Sequence, residues 1–351
     1  MSGKAIAIDQ PLETGIALNS VLRYAFGATI IMLVAMSLNY TLAYLTPVLA
    51  LNFLAPGAKP PTLKTTVLFL LIIAVTSMTG ILFSRFFLDY PLVFMPLLIL
   101  AIFHIYYTTS LQSMKVWFII SLLVIPMISL QSAELGNIVA INLFLNALLA
   151  ITLVWLVYFI FPVKVSAHEL KKSAATAIAM PARIRFISAV KKILVIMPIL
   201  ISFFVFSLTD TLLVLVFVSL LSMNPAFAHK KAGIALVIAN LGGGLAAIFA
   251  FNFLTVVPNL IFLGLLTLLF GLLFGEKLFS GKPVSALFGT AFSTFLLILG
   301  NVTSITGEAG EMVWTRIFQL AIVVVYLVIA FFLADHFITA DQPDLKQSHA
   351  Q

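Results

Sequence analysis

Few side chains in this sequence could do chemistry, and most of them sit inside apolar runs. Asp210, in Thr209-Asp210-Thr211, could take up a proton or a cation. An Asp in that setting also caps a helix, accepting from its exposed backbone N–H groups. His104, beside Tyr106 and Tyr107, could titrate during a working cycle. An intramembrane imidazole more often hydrogen-bonds to a neighbouring helix. Asn52, Asn142, Asn146, Asn224 and Asn240 lie in apolar runs too, where an amide usually joins two helices. Asn142 and Asn146 share one helical face. Arg85 and Asp89 have the same four-residue spacing, which suits an ion pair. Arg316 follows Glu308 and Glu311. The two Arg could attract an anion, but pairing with the nearby acids is the plainer account.

Several chemistries are excluded by what is missing. Cysteine is absent, which removes disulfides, thiolate metal sites and thiol nucleophiles. There is no GxxxxGK[ST] loop to cradle a nucleotide phosphate and no HExxH zinc motif. His104, His168, His229, His336 and His349 show no metal-ligand spacing. No cofactor or metal is therefore expected, and an enzyme is not the favoured reading. Base-reading motifs are lacking, so the net charge of +7 does not point to nucleic acid.

The elements that would hold these residues are apolar helices. The chain is 62% hydrophobic and only 9% charged, against about 25% charged in soluble domains. Lipid must be its main solvent. Runs fall at 22–38, 41–56, 65–85, 91–108, 115–131 and 138–161, then at 192–208, 211–225, 232–254, 258–275, 284–300 and 313–336. Lys and Arg gather on the cytoplasmic side of short loops. With the amino terminus inside, 17 of the 19 basic residues fall on that side, and only Arg85 and Arg316 fall outside. This predicts an all-α polytopic membrane protein with twelve transmembrane helices and both termini cytoplasmic. The two short hairpins, 22–56 and 192–225, could each be read as one long helix, but that would place their flanking basic residues on opposite faces.

The two halves repeat. From the third run to the fifth they align at an offset of 167 residues, with Lys64 on Lys231, Pro91 on Pro258 and Lys115 on Lys282. Six spans per half insert both halves in the same direction, giving two parallel six-helix repeats. Small residues recur at matching places: Thr76, Ser77 and Gly80 in the first half, Gly242, Gly243 and Gly244 in the second. In lipid they let backbones approach closely, so these are expected at helix contacts near the interface of the halves. Ordinary packing explains them as well.

Domain boundaries follow: an amino-terminal cytoplasmic segment 1–20, retained for want of a signal-peptide pattern; a first repeat 21–162; a basic linker 163–191; a second repeat 192–337; and a polar tail 338–351. The linker, with Pro181, reads equally as a solvated connection or as an amphipathic helix on anionic lipid. The segments 41–56, with Pro47 and Asn52, and 211–225, with Asn224 and Pro225, are short at matching positions of the halves. Such broken segments point to a transport path, because their helix ends offer N–H groups to an anion. Pro47, Asn52, His104, Asp210, Asn224, Pro225 and Asn240 are the candidate path residues.

An Arg-led first helix (LRYAFGATI) is followed by a proline-containing hairpin helix (TLAYLTPVLALNFLAPGAKP) and, in the second half, by NPAFAHKKAGIALVIANLGGGLAA. Over most of residues 20–337 this arrangement resembles the fusaric-acid-resistance and aromatic-acid-exporter superfamily of bacterial inner membranes. The resemblance implies efflux of small organic, often aromatic, acids and work with a periplasmic adaptor protein. It departs from the pattern in having only a short linker where many members carry a large cytoplasmic domain. Three readings are thus open. The first is a proton-driven secondary transporter, alone or as a homo-oligomer. The second is a non-transporting scaffold or assembly subunit, and the third is a lipid-acting enzyme, which would need Asp210 and Asp89 to converge.

Overall fold

The computed structural model describes residues 10–108, 112–162, 182–206, 230–282 and 284–303, with Tyr326, Ile329, Ala330 and Leu333. Among these residues there are ten helices and no strands: α1 (Gln10–Ser37), α2 (Leu45–Leu54), α3 (Leu63–Phe87), α4 (Pro91–Tyr107), α5 (Gln112–Ser129), α6 (Ala133–Ile160), α7 (Ala182–Phe206), α8 (Lys230–Val256), α9 (Leu260–Leu278) and α10 (Ser285–Thr303). Six stretches are long and apolar enough to cross a membrane: Leu18–Ser37, Leu63–Phe87, Ala133–Ile160, Ile238–Val256, Leu260–Leu278 and Ser285–Thr303. Their outer faces are apolar as well. On α3, Val67, Leu68, Leu71 and Val75 are all exposed, a stripe that water would not tolerate and lipid would. The chain is a membrane-embedded helical protein.

Two helices begin ahead of their apolar runs. α1 already starts at Gln10, inside the 1–20 segment, while its membrane-crossing stretch starts at Leu18. Pro11 near its start is compatible with a first turn, where the missing N–H costs nothing. α7 begins at Ala182, so the last ten residues of the 163–191 segment are helical. The segments 211–225 and 313–325 lie outside the described residues. The stretch 22–56 is two helices, α1 and the ten-residue α2, and α2 is shorter than a full crossing. α1 and α2 are joined by a turn in which Asn39 (φ 46°) and Leu42 (φ 64°) both take left-handed backbone. Asn tolerates that region; a Leu there costs on the order of 1 kcal/mol and must be held by its surroundings.

Polar side chains inside the helices are satisfied largely by their own backbone. Thr29, Ser84, Ser129, Asn142, Asn146, Thr152 and Thr267 each donate to the carbonyl four residues earlier. In hydrocarbon no water competes, so this back-bonding removes the main cost of a polar residue in a span.

The chain forms two compact units. The first includes α1, α2, α9, α10 and most of α6 and α8. Here α1 and α9 run antiparallel: a methyl group placed on Gly264 would stand 2.8 Å from Leu33, and on Gly271 3.2 Å from Ala25, while Gly275 faces Val21 and Tyr24. The stripe Gly264, Gly271, Gly275 is what lets the two backbones close. α10 packs on α9 and reaches α1 through Phe292 against Tyr24, with ring centroids 5.4 Å apart. The second unit includes α4, α5, α7 and the later part of α3. There α4 and α7 are antiparallel, with Phe94 stacked on Phe204 at one end and Phe103 edge-on to Phe186 at the other. α5 packs against both.

Candidate functional site

The densest buried polar group in the first unit joins α2, its preceding turn and α6. Thr46 and Asn146 are fully buried, and Asn142 nearly so. Pro47 follows Thr46 in the first turn of α2, where it has no helical bond to lose. The Thr46 hydroxyl donates to Asn146 Oδ1 at 2.6 Å. The Tyr40 hydroxyl lies 2.5 Å from Thr46 Oγ1 and 3.1 Å from the same amide oxygen, so its one proton serves either acceptor. Asn146 Nδ2 donates to the Asn142 carbonyl at 2.7 Å, and Asn142 Nδ2 to that of Ile138. Burial pushes the Tyr40 phenol above its ordinary range, although the Thr46 contact pulls the other way. Tyr40 therefore stays protonated at neutral pH and remains a donor.

Two amides one helical turn apart on α6 thus present one oxygen to two hydroxyls on another element. The cluster is neutral and has donors to spare for an acceptor. Its hydroxyls and amides serve one another and the helix backbone. A second buried pair in the same unit links α8 to α10, where Thr294 donates to Asn240 Oδ1 at 2.5 Å. Arg23, buried on α1, lies with its guanidinium 5.0 Å from the Tyr158 ring centre. Its Nε has no hydrogen-bond partner among the described residues. Tyr158 donates to the Phe53 carbonyl at 2.7 Å and so ties α6 to the end of α2.

The sequence-predicted residues fall in different places. Pro47 is buried beside the Thr46 cluster, and Asn240 is buried on Thr294. Asn52 is on the exposed side of α2, and His104 is exposed near the end of α4, where its carbonyl accepts from Thr108. Asp210, Asn224 and Pro225 lie outside the described residues. Of the small residues, Thr76 and Ser77 are buried. A methyl on Gly80 would meet the Ser121 carbonyl oxygen at 2.7 Å, and one on Gly243 the Ala291 carbonyl oxygen at 2.1 Å. Gly244 makes only an ordinary contact with Ile298, and Gly242 faces open space. Sequence reasoning picked Asn142 and Asn146 as one face but missed their partners Tyr40 and Thr46. The available signal was that a buried amide oxygen needs a donor, and the short second helix offers Thr46 beside its proline.

Among the described residues no group of His, Asp and Glu converges to hold a metal ion. A model of a family described as "Protein of unknown function (DUF2955)" matches residues 20–157, which runs from α1 through nearly all of α6. That match brings no activity with it and does not establish the exporter resemblance. No curated protein and no solved structure matches the chain.

Proposed function

We propose that this chain is a secondary transporter of small organic anions, aromatic acids among them. It would lie in the bacterial inner membrane with both termini cytoplasmic, cross it twelve times as two parallel six-helix repeats, and draw its energy from the proton gradient. The observation that carries this reading is the repetition of helix contacts inside the two units. Under the sequence repeat, α1 corresponds to α7, α3 to α8, α4 to α9 and α5 to α10. In the first unit α1 packs on α9, α9 on α10, α10 on α1, and α8 meets α10 at Gly243. In the second, α7 packs on α4, α4 on α5, α5 on α7, and α3 meets α5 at Gly80. Each of these four contacts in one unit has its counterpart in the other. Each unit also takes helices from both sequence halves. Two related bodies are what an alternating-access mechanism employs.

The Thr46–Asn146 cluster supports the substrate class, since hydroxyl and amide donors in a dry setting favour an oxygen-bearing ligand. Being neutral, it leaves proton coupling to an acid, and Asp210, between the apolar runs 192–208 and 211–225, is the candidate. Cellular retention of a panel of aromatic carboxylic acids, measured with and without the protein, tests the reading. Expression lowers retention of at least one acid, and Asp210→Asn removes the dependence on the proton gradient. Identical retention across the panel would sink it.

A scaffold is the second reading, and one observation favours it. The crevice between α4 and α7, lined by Ile99, Ile102, Ile193, Ile196, Met197 and Leu200, is wholly apolar and leaves no room for water. A transporter needs a wet path elsewhere; a scaffold needs none. Solute flux in proteoliposomes separates the two.

A further inference from the structure

In the second unit, positive charge collects where α4 ends and α5 and α7 begin. The Lys115 ammonium is buried and donates to the Thr108 carbonyl just past α4. The Arg185 guanidinium lies 5.1 Å from the Tyr107 ring centre, and the Lys192 ammonium 5.2 Å from that of Tyr106. The three cations contact three consecutive residues, Tyr106, Tyr107 and Thr108, so their like charges are neighbours. The carboxylates described in this unit, Asp89 and Glu134, lie at the opposite ends of α4 and α5. α4 alone has 17 residues, or roughly 25 Å at 1.5 Å per residue, so those acids do little to offset the cluster. Two tyrosines next to the cations are what a membrane–water boundary selects, their rings in the apolar layer and their hydroxyls in the headgroups.

We infer that Lys115, Arg185 and Lys192, framed by Tyr106 and Tyr107, form a binding site for the phosphate of an anionic phospholipid headgroup. A phosphate placed among them relieves the repulsion and accepts from several N–H donors at once, as in basic pockets between membrane helices. Tyr106 and Tyr107 then lie level with the lipid's glycerol region. The site needs no substrate and stands whether or not the chain transports anything.

Native mass spectrometry of the full-length protein released from detergent, with phosphatidylglycerol or phosphatidylcholine added, tests this. The wild type retains phosphatidylglycerol in preference, and phosphatidylglycerol raises its melting temperature. Lys115→Gln, Arg185→Gln and Lys192→Gln each weaken retention about five-fold per charge removed. Lys192→Arg, which keeps the charge, retains the lipid, and Lys277→Gln, at an exposed lysine of the first unit, behaves as wild type. Equal retention of the two lipids by the wild type overturns the inference even if a variant fails to fold. So does unchanged retention in the Gln variants, or stabilisation by millimolar inorganic phosphate as strong as that by the lipid.

Discussion

The α1–α9 pair of the first unit and the α4–α7 pair of the second are counterparts under the proposed repeat, yet they pack by opposite means. α9 sets glycines against α1: Gly264 under Leu33, Gly271 under Ala25, Gly275 under Val21 and Tyr24. Here the attraction comes from backbones drawn close, where many weak dispersion contacts and Cα–H···O approaches add up. α4 has no glycine on its face toward α7 and uses rings instead, Phe94 on Phe204 and Phe103 on Phe186. There the helices are spaced by side chains, and offset or edge-on ring geometry supplies the specificity. Lipid tails are as apolar as leucine, so neither pair gains from simply hiding hydrocarbon. The lesson is that two antiparallel helix pairs of one chain can be closed by different chemistry, backbone approach in one and ring packing in the other.

The comparison predicts opposite sensitivities to size. Adding volume should break the glycine pair. Gly271→Leu must push a branched side chain against the Ala25 backbone and the Phe292 ring, neither of which can swing aside. A loss of about 3 kcal/mol is expected, seen as a large fall in the detergent melting temperature. Removing volume should break the ring pair. Phe94 is fully buried, and Phe94→Ala leaves a void beside Phe204 and Phe83 worth about 2 kcal/mol, read by the same melting measurement. If Phe94→Leu melts as wild type while Phe94→Ala does not, volume and not the ring specifies the α4–α7 contact, and the contrast fails.

How far the sequence could foresee this depends on the range of the cause. Apolar runs bounded by proline and charge mark α3, α4 and α6 because lipid acts on each helix separately. The break between α1 and α2 is legible in the polar Ser37, Asn39, Tyr40 and Thr41 that interrupt the apolar run. Helix starts are less legible. The hydrogen-bonding that continues α1 back to Gln10 and α7 to Ala182 does not stop where hydrocarbon stops. The glycine run at 242–244 was visible, but not that Gly243 alone of the three meets a backbone carbonyl, which is set by the turn of α8 that faces α10. The Tyr40–Thr46–Asn146 cluster joins positions about a hundred residues apart. Periodicity reports only neighbours within one helix.

Smaller changes sharpen the contrast. Gly264→Ala brings its methyl to 2.8 Å from a Leu33 terminal carbon, but a terminal methyl of Leu can rotate away. The expected cost is about 1 kcal/mol, and Leu33→Ala in the same chain should recover most of it in a double-mutant cycle. No recovery would mean that the backbone, not the side chain, sets the spacing there. Thr46→Val tests a helix contact made by neither glycine nor ring. It keeps the shape of Thr46 and removes the donor to Asn146, leaving Tyr40 to serve the amide oxygen alone. Interhelical hydrogen bonds in membranes are worth about 0.6 kcal/mol on average, so the melting temperature should fall only slightly. Tyr40→Phe on top of Thr46→Val should then cost more than Tyr40→Phe alone, because the second loss strands a buried oxygen that the first leaves served. Strict additivity of the two would show that the hydroxyls act independently, and that the cluster is a pair of separate bonds, not one adaptable site.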